Sequence, residues 1–470
     1  MPPSLCREMV EACHERIERR LTMAKILISP LGKGIQENVK TTAGGKYIKT
    51  TYKFGDSDKG YDTSFITSAL SEHLQLDKIF MIGTDQSMWE EVYYYFGEVK
   101  ENSYGEDVYL ELDEKKSKGR LTEADLTCVN EAIDRYLKKM NPSATGGSSC
   151  KLIQNGKNAE ELTENFLIFM EFSRLIEPGD EVYLDITHSF RSIPLFLFVL
   201  IDFVQTLRKD ENIKLSGVYY GMLEAKSDNV TPVVDLKALF EVPQWTRGVY
   251  EFIHYGHAEL LAQLIDHESY KASLKNISDL ADLNHIKSLK SKVDQFHSDF
   301  KQGYEHKNGL PIFPYLKPHL NRFFEYFAGA DTDAKFQFQL AKWFFDHKRY
   351  ANGYICLAES MITHVAYVYS KVERNVEVGE LTVRDNIKRL INSYLQTNSN
   401  EHYQKMHNLY KEVSKIRNNI AHAGFLSKDN SEDVITKTNQ FIKETEKLFF
   451  SSNGNRLIKK LPREYPYYKL

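Results

Sequence analysis

The sequence predicts an α/β half followed by an all-helical half. Four short apolar runs, each bounded by Gly, Ser or Asp and separated by helical stretches, occupy residues 25–220. Runs of that length suit a parallel sheet covered on both faces. Beyond about Pro232 the runs stop, and every later segment carries a helical period. At 470 residues the chain is long enough for about three structural units.

Residues 1–22 are set apart as an N-terminal extension, native or not, because Met23-Ala-Lys-Ile-Leu-Ile-Ser reads as a start followed at once by a buried strand. The strands are residues 25–29 (KILIS), 78–82 (KIFMI), 181–186 (EVYLDI) and 215–220 (LSGVYY). Helices are expected over 64–74, 159–175 and 194–207, with Pro194 in the first turn where a missing N–H costs nothing. A hairpin at residues 43–46 returns as a strand over 47–54, and the Gly/Ser/Asn-rich stretch 141–158 is expected to be a loop. The second half is expected to be helical over 245–266, 274–300, 334–345, 350–371, 384–395, 402–420 and 431–450. A proline-bearing break covers 307–318.

Composition excludes several classes. Lys plus Arg number 61 against 65 Asp plus Glu, a near balance that permits a local basic cleft but not a surface coated in nucleic acid. Five cysteines without a C-x-x-C pair suit a reducing cytosol, so the expected location is cytoplasmic. The longest apolar run, residues 193–201, is far short of a membrane span, and no membrane partner is expected. No H-E-x-x-H or C-x-x-C motif occurs, so neither a metal site nor a cofactor is expected. His254 with His257, and His402 with His407, lack partner ligands at metal spacing. The run Tyr93-Tyr94-Tyr95-Phe96 reads as packing, and Lys115-Lys116 with Lys118 and Arg120 as a solvated loop.

Two constellations carry chemistry. The third strand delivers Asp185 at its carboxyl end, followed by Thr187, His188, Ser189 and Arg191 before a helix. Open parallel sheets bind ligands outside the carboxyl ends of their strands, and a helix N-terminus favours an anion. The first strand runs into Ser29-Pro30-Leu31-Gly32-Lys33-Gly34, and the second into Gly83-Thr84-Asp85. These three loops form a candidate phosphate-binding edge made of Ser29, Leu31, Gly32, Lys33, Gly34, Gly83, Thr84, Asp185, Thr187, His188, Ser189 and Arg191. The dinucleotide fingerprint is incomplete because Glu37 stands where its third glycine belongs, and no P-loop occurs. From the residues alone, Asp185 capping its own turn and pairing with Arg191 is an equally open reading.

Asp185-x-Thr187-His188, between a hydrophobic strand and a Phe-Arg-Ser-x-Pro helix start, resembles the Asp-x-Thr-His-Gly signature of CRISPR-associated proteins with a Rossmann-like CARF domain. KILISPLGKG resembles that family's first strand and loop. The resemblance covers roughly residues 24–222 and departs at Ser189, where glycine is usual. It implies a homodimer that binds a cyclic oligoadenylate across its two-fold axis, cyclic tetra-adenylate being favoured. A two-fold ring suits an isologous interface, in which each copy presents the same loops.

The second constellation is Arg417-Asn418-Asn419-Ile420-Ala421-His422. Leu409, Val413, Ile416 and Ile420 mark one apolar helix stripe, with Arg417 and His422 beside it. An imidazole can move protons between an attacking 2′-hydroxyl and a leaving 5′-oxygen, while a guanidinium stabilises the phosphoryl oxygens. Lys411 and Lys415 add charge for an RNA backbone. Five helical residues turn through about 500°, which leaves Arg417 and His422 some way round the helix from each other. An exposed Arg and a helix-terminal His with no catalytic part are therefore the alternative. RNNIAHAG also resembles the Arg-x4-6-His motif of HEPN ribonucleases, over roughly residues 330–450. That resemblance implies catalytic Arg417 and His422, an orienting Asn418, and a composite site shared by two protomers.

The expected division is 23–230 for the CARF domain, 231–325 for a helical connector and 326–470 for the HEPN domain. The expected activity is cyclic oligoadenylate-activated, metal-independent cleavage of single-stranded RNA by a homodimer or higher homo-oligomer in type III CRISPR defence. By the same resemblance the products carry a 2′,3′-cyclic phosphate and a 5′-hydroxyl. Two rivals stand beside it: a non-catalytic nucleotide-sensing regulator that binds DNA or a protein, and a ring nuclease in which Thr187, His188 and Lys33 open the ligand.

Overall fold

The computed structural model describes residues 23–33, 49–55, 57–99, 105–188, 192–303, 311–327, 329–373, 376–422, 431–465 and 468–469. The expected hairpin turn at 43–46 and the leader 1–22 lie outside them. The chain divides into two units, residues 1–241 and 242–470.

The first unit holds β1 (Lys25–Leu31), β2 (Thr50–Phe54), β3 (Gly60–Thr63), α1 (Ile66–Leu74), β4 (Lys78–Gly83), α2 (Trp89–Phe96), α3 (Glu106–Ser117), α4 (Thr127–Met140), β5 (Ser149–Leu152), α5 (Ala159–Leu175), β6 (Glu181–Asp185), α6 (Ile193–Leu207), β7 (Lys214–Gly221) and β8 (Val230–Asp235). The eight strands form one mixed sheet in the order β3-β2-β8-β7-β6-β1-β4-β5. The run β7-β6-β1-β4-β5 is parallel throughout. Its inner strands are continuously apolar because both faces are covered. Leu27, Ile79 and Tyr183 pack on one side of the sheet, while Ile26, Ile28, Phe80, Val182 and Leu184 pack on the other. This is the two-residue alternation of a strand. On the second side the Phe172 ring of α5 stacks on Phe80 at 5.3 Å.

Three expectations are corrected in this unit. The stretch 141–158 contains β5, whose Cys150 is buried and whose backbone pairs with Phe80–Gly83. Backbone pairing along a sheet edge leaves no periodic trace in a strand of four residues. Strands also continue past Pro232, because that residue lies inside β8 between β2 and β7. Proline brings no N–H to the ladder, but its carbonyl accepts from the Met222 amide at 2.9 Å. Lys115 and Lys116 belong to the last turn of α3, not a loop, and Lys116 pairs with the buried Glu90 of α2. Cations suit that end of a helix.

The second unit begins within α7 (Lys237–Tyr255). It continues through α8 (Glu259–Leu264), α9 (Glu268–Asp282), α10 (Ile286–Gly303), α11 (Phe313–Glu325), α12 (Asp333–Asp346), α13 (Tyr350–Ser370), α14 (Leu381–Thr397), α15 (Glu401–Ala421), α16 (Ser431–Thr436), α17 (Thr438–Thr445) and α18 (Ser452–Ile458). Two-residue strands β9 (Glu464–Tyr465) and β10 (Tyr468–Lys469) pair near the end, so this half is not wholly helical. Helices expected to be continuous are broken where the backbone turns left-handed. Gly256 (φ 77°) ends α7, and Asn284 (φ 53°) separates α9 from α10. Glycine and asparagine tolerate that conformation at a helix C-terminus. The expected helix 431–450 is interrupted between α16 and α17 and ends in a π turn over Glu446–Phe450.

One apolar core runs from Trp245 to Leu461. The helix α13 is apolar nearly all round and packs against α12, α14 and α15, as a central helix must. It also carries a buried imidazole. The Nε2–H of His364 donates to Asn455 Oδ1 at 2.8 Å, and the Phe450 ring lies 4.1 Å away. Burial pushes this imidazole down to about 4, with the Asn455 hydrogen bond opposing. The folded protein therefore holds His364 neutral while the unfolded chain takes up the proton first. Stability should be lost as pH falls from about 6.5 to about 4, by roughly 3 kcal/mol. His364→Gln, which keeps a donor for Asn455, should flatten that part of the pH dependence in urea unfolding. An unchanged slope would show that His364 does not control it.

Candidate functional site

The first site lies where the winding of the sheet reverses. From β1 the chain first crosses to β2 and β3 at the far edge of the sheet, then places β4 and β5 on one side of β1 and, returning, β6 and β7 on the other. The crevice between the carboxyl ends of β1 and β6 is therefore a topological switch point. Ser29 of β1 donates its hydroxyl to Asp185 Oδ2 of β6 at 2.7 Å and receives the Thr67 hydroxyl of α1 at 3.0 Å. Asp185 Oδ1 accepts the Thr187 amide at 2.9 Å, and Thr187 Oγ1 accepts the Gly221 amide from the end of β7 at 2.8 Å. At Gly221 a Cβ would come within 2.7 Å of Ile66 and 3.1 Å of Tyr52. This chain of bonds sets the direction in which the backbone leaves β6.

The loops after β1 and β4 are tied together as well. Ser87 donates to the Leu31 carbonyl at 2.8 Å and accepts the Thr84 amide at 2.9 Å, while the Met88 amide reaches the Gly32 carbonyl at 3.2 Å. Trp89 Nε1 closes the turn on the Thr84 carbonyl at 2.9 Å. A Cβ at Gly83 would lie 2.8 Å from Ser87 and 2.9 Å from Trp89, so glycine is required there.

The twelve sequence-selected residues thus sort by depth. Ser29, Leu31, Gly83, Thr84 and Asp185 are buried and shape the loops, so they offer little surface to a ligand. Gly32, Thr187 and His188 are half-buried and Lys33 is exposed, which leaves these four at the surface of the crevice. Gly34, Ser189 and Arg191 lie outside the described residues. Burial lowers the His188 pKa, with the Asp185 charge opposing it, which favours the neutral imidazole. Burial first, and then the Asp185 charge, raises the Tyr52 phenol. The sequence reading missed Thr67, Ser87 and Gly221, whose parts depend on partners far along the chain.

The second site is a cavity of about 480 Å³ between α13, α14 and α15. Lys388 of α14 and Lys411, Lys415, Arg417 and Asn418 of α15 line it, with Glu359 of α13 on its wall. The apolar stripe of α15 is as expected: Leu409, Val413 and Ile416 are buried in the core, which turns Arg417 toward the cavity. Arg417 donates through NH2 to Glu359 Oε1 and through NH1 to Asn418 Oδ1, both at 2.9 Å. Glu359 Oε2 accepts from Arg384 NH2, and Arg384 NH1 donates to Thr363 Oγ1 at 3.0 Å. Burial raises the phenol of Tyr410 on the same wall, and the Glu359 charge adds to it.

Arg417 and Asn418 are thus brought together, and His422 is not. It caps the C-terminus of α15, is exposed, and gives its amide to the Asn418 carbonyl at 3.0 Å. His422 is absent from the lining of the cavity. Two of the four histidines set aside as metal ligands bind carbonyls, His402 Nε2 that of Leu448 and His407 Nδ1 that of Ile391, each at 3.0 Å, while His257 Nε2 lies 3.9 Å from Asp282 Oδ2. Glu359 and Arg384 escaped the sequence reading because nothing in their local sequence links them to position 417.

Comparison with known proteins gives two family matches. Residues 26–224 match the family described as CRISPR system endoribonuclease Csx1, CARF domain. Residues 241–330 match CRISPR-associated protein MJ1674, second domain. The CRISPR-associated protein MJ1674 of Methanocaldococcus jannaschii is 38% identical over 432 residues, which are 88% of this chain and 65% of that protein. The chain therefore spans less than two thirds of that relative's length. Csm6 of Enterococcus italicus, solved with cyclic hexa-2′-fluoro-hexa-dAMP, aligns over 94% of this chain and 100% of its own. Its identity is 13% and its TM-score 0.41, a similarity too weak to bear on fold or ligand.

Ser29→Ala tests the crevice. It removes the hydroxyl that donates to the fully buried Asp185 and should lower stability by about 2 kcal/mol, read from urea unfolding. No change would mean that another donor replaces Ser29.

Proposed function

We propose that this chain, whose residues 26–224 match the Csx1 CARF-domain family and which resembles a CRISPR-associated protein over most of its length, is a cyclic oligoadenylate-activated endoribonuclease. The activator, a cyclic oligoadenylate with the two-fold symmetric cyclic tetra-adenylate favoured, seats at the β1/β6 crevices of two copies. There Lys33 and the glycine-rich turn meet its phosphates, while Thr187 and the neutral His188 meet ribose or base. The substrate is single-stranded RNA, and it enters the cavity of the helical unit.

The observation that carries the nuclease reading is the placement of Arg417. The one arginine of the Arg-x4-His motif points into a cavity that also carries Lys388, Lys411 and Lys415. Such a cavity draws in a phosphate backbone. Arg417 then stabilises the charge that grows on the phosphoryl oxygens, and Asn418 holds its guanidinium. His422 moves protons between the 2′-hydroxyl and the 5′-oxygen. Because His422 lies outside the cavity lined by Arg417, the couple is completed between two copies of the chain. Attack by the 2′-oxygen on phosphorus expels the 5′-oxygen, leaving a 2′,3′-cyclic phosphate and a 5′-hydroxyl without any call on a metal ion.

A quenched fluorescent single-stranded RNA, incubated with EDTA and cyclic oligoadenylates of several ring sizes, tests this. The wild type should cut with one cyclic species and not with linear ones. Arg417→Ala and His422→Ala should each lose at least about a hundredfold in rate while still binding the activator. Cleavage that persists in both variants would place the active centre elsewhere. RNA left intact under every condition, together with ligand-dependent binding of duplex DNA, would favour a regulator. Activator consumed by the His422→Ala protein would assign ring opening to the crevice.

A further inference from the structure

We propose that Glu359 is the positioning residue of the RNA-cleaving centre, and that it works by sharing one carboxylate between two guanidiniums. The inference rests on the nuclease reading and deepens it. Glu359 sits on α13, whose neighbouring residues are packed in the core, so its backbone has little freedom. Its side chain is one-fifth exposed. Oε1 takes Arg417, and Oε2 takes Arg384, whose other terminal nitrogen is spent on Thr363 one turn along the same helix. Arg384 is thereby anchored at both ends of its guanidinium, and it occupies the oxygen that Arg417 would need for a two-pronged grip.

The consequence is a singly held Arg417. A guanidinium presents its donors in a rigid fork, and a carboxylate that took both prongs would neutralise Arg417 and hide it. With one prong on Glu359 and the other on Asn418, the plane of Arg417 is set while its Nε–H and outer N–H groups stay available to phosphate oxygens. Two cations against one anion also leave the cluster positive. Orientation fixed before the substrate arrives is worth more to a transition state than charge alone. Without the carboxylate, Arg384 and Arg417 would face each other as like charges, and Arg417 would swing away.

The variant Glu359→Gln separates this role from others, because it keeps the shape and removes the charge. With saturating activator, kcat should fall at least tenfold, on the order expected for a misplaced catalytic group. The KM for RNA should stay level or fall, because the cavity gains a net positive charge. The thermal midpoint and activator binding report whether the variant is folded. An unchanged kcat in folded Glu359→Gln, with Arg417→Ala inactive, would overturn the inference and leave the nuclease reading standing. A variant that cuts RNA without activator would also overturn it, since Glu359 would then be a restraint on Arg417. A parallel loss of thermal midpoint, kcat and RNA affinity would reduce Glu359 to a structural residue. RNA left uncut by the wild type would overturn both ideas together.

Discussion

A carboxylate with no exposure to water has to be answered by the protein, and at the crevice of the α/β unit Asp185 sets that requirement. Leaving such a charge without donors costs several kcal/mol. Its answer comes from three places: the Ser29 hydroxyl on the neighbouring strand, the Thr187 amide two residues on, and, through Thr187, the Gly221 amide at the end of β7. Each bond fixes a different strand end relative to the others. The surface left over, made of Gly32, Lys33, Thr187 and His188, has its shape because the buried layer beneath it has no freedom.

The helical unit repeats the device with different parts. Glu359 is the inward carboxylate, and it fixes Arg417 at the wall of a lysine-lined cavity. In both units a carboxylate set inward holds polar or cationic groups in place around it. A near-balanced net charge is compatible with a local cluster of cations such as Lys388, Lys411, Lys415 and Arg417.

Much of this was legible in the chain itself. The strands around residues 25–31, 78–83, 181–185 and 214–221 announce themselves because strands buried on both faces are continuously apolar. The long helices α5, α13 and α15 follow from their periods almost to the residue. The short edge strand β5 did not show, since it is held by backbone pairing and its composition is that of a loop. The breaks at Gly256 and Asn284 were missed for another reason: their left-handed backbone interrupts a helix without interrupting its apolar spacing. Asp185, Thr187, Arg417 and Asn418 were singled out because they stand in short contiguous motifs. Ser87, Gly221, Glu359 and Arg384 stand in none.

By itself the sequence determined the order of the two architectures, the strand ends that carry a Gly- and Thr-bearing edge, and the face of α15 that bears Arg417. All of these are local properties, set by the two- and 3.6-residue periods of strand and helix. Tertiary structure alone decided which motif residues lie inside and which outside, that Asp185 serves the loops more than the ligand surface, and that Arg417 shares Glu359 with Arg384. It also left His422 outside the cavity that Arg417 lines. Those outcomes depend on side chains dozens of residues apart meeting at hydrogen-bond distance, and no periodicity along a chain encodes the distance between two of its helices.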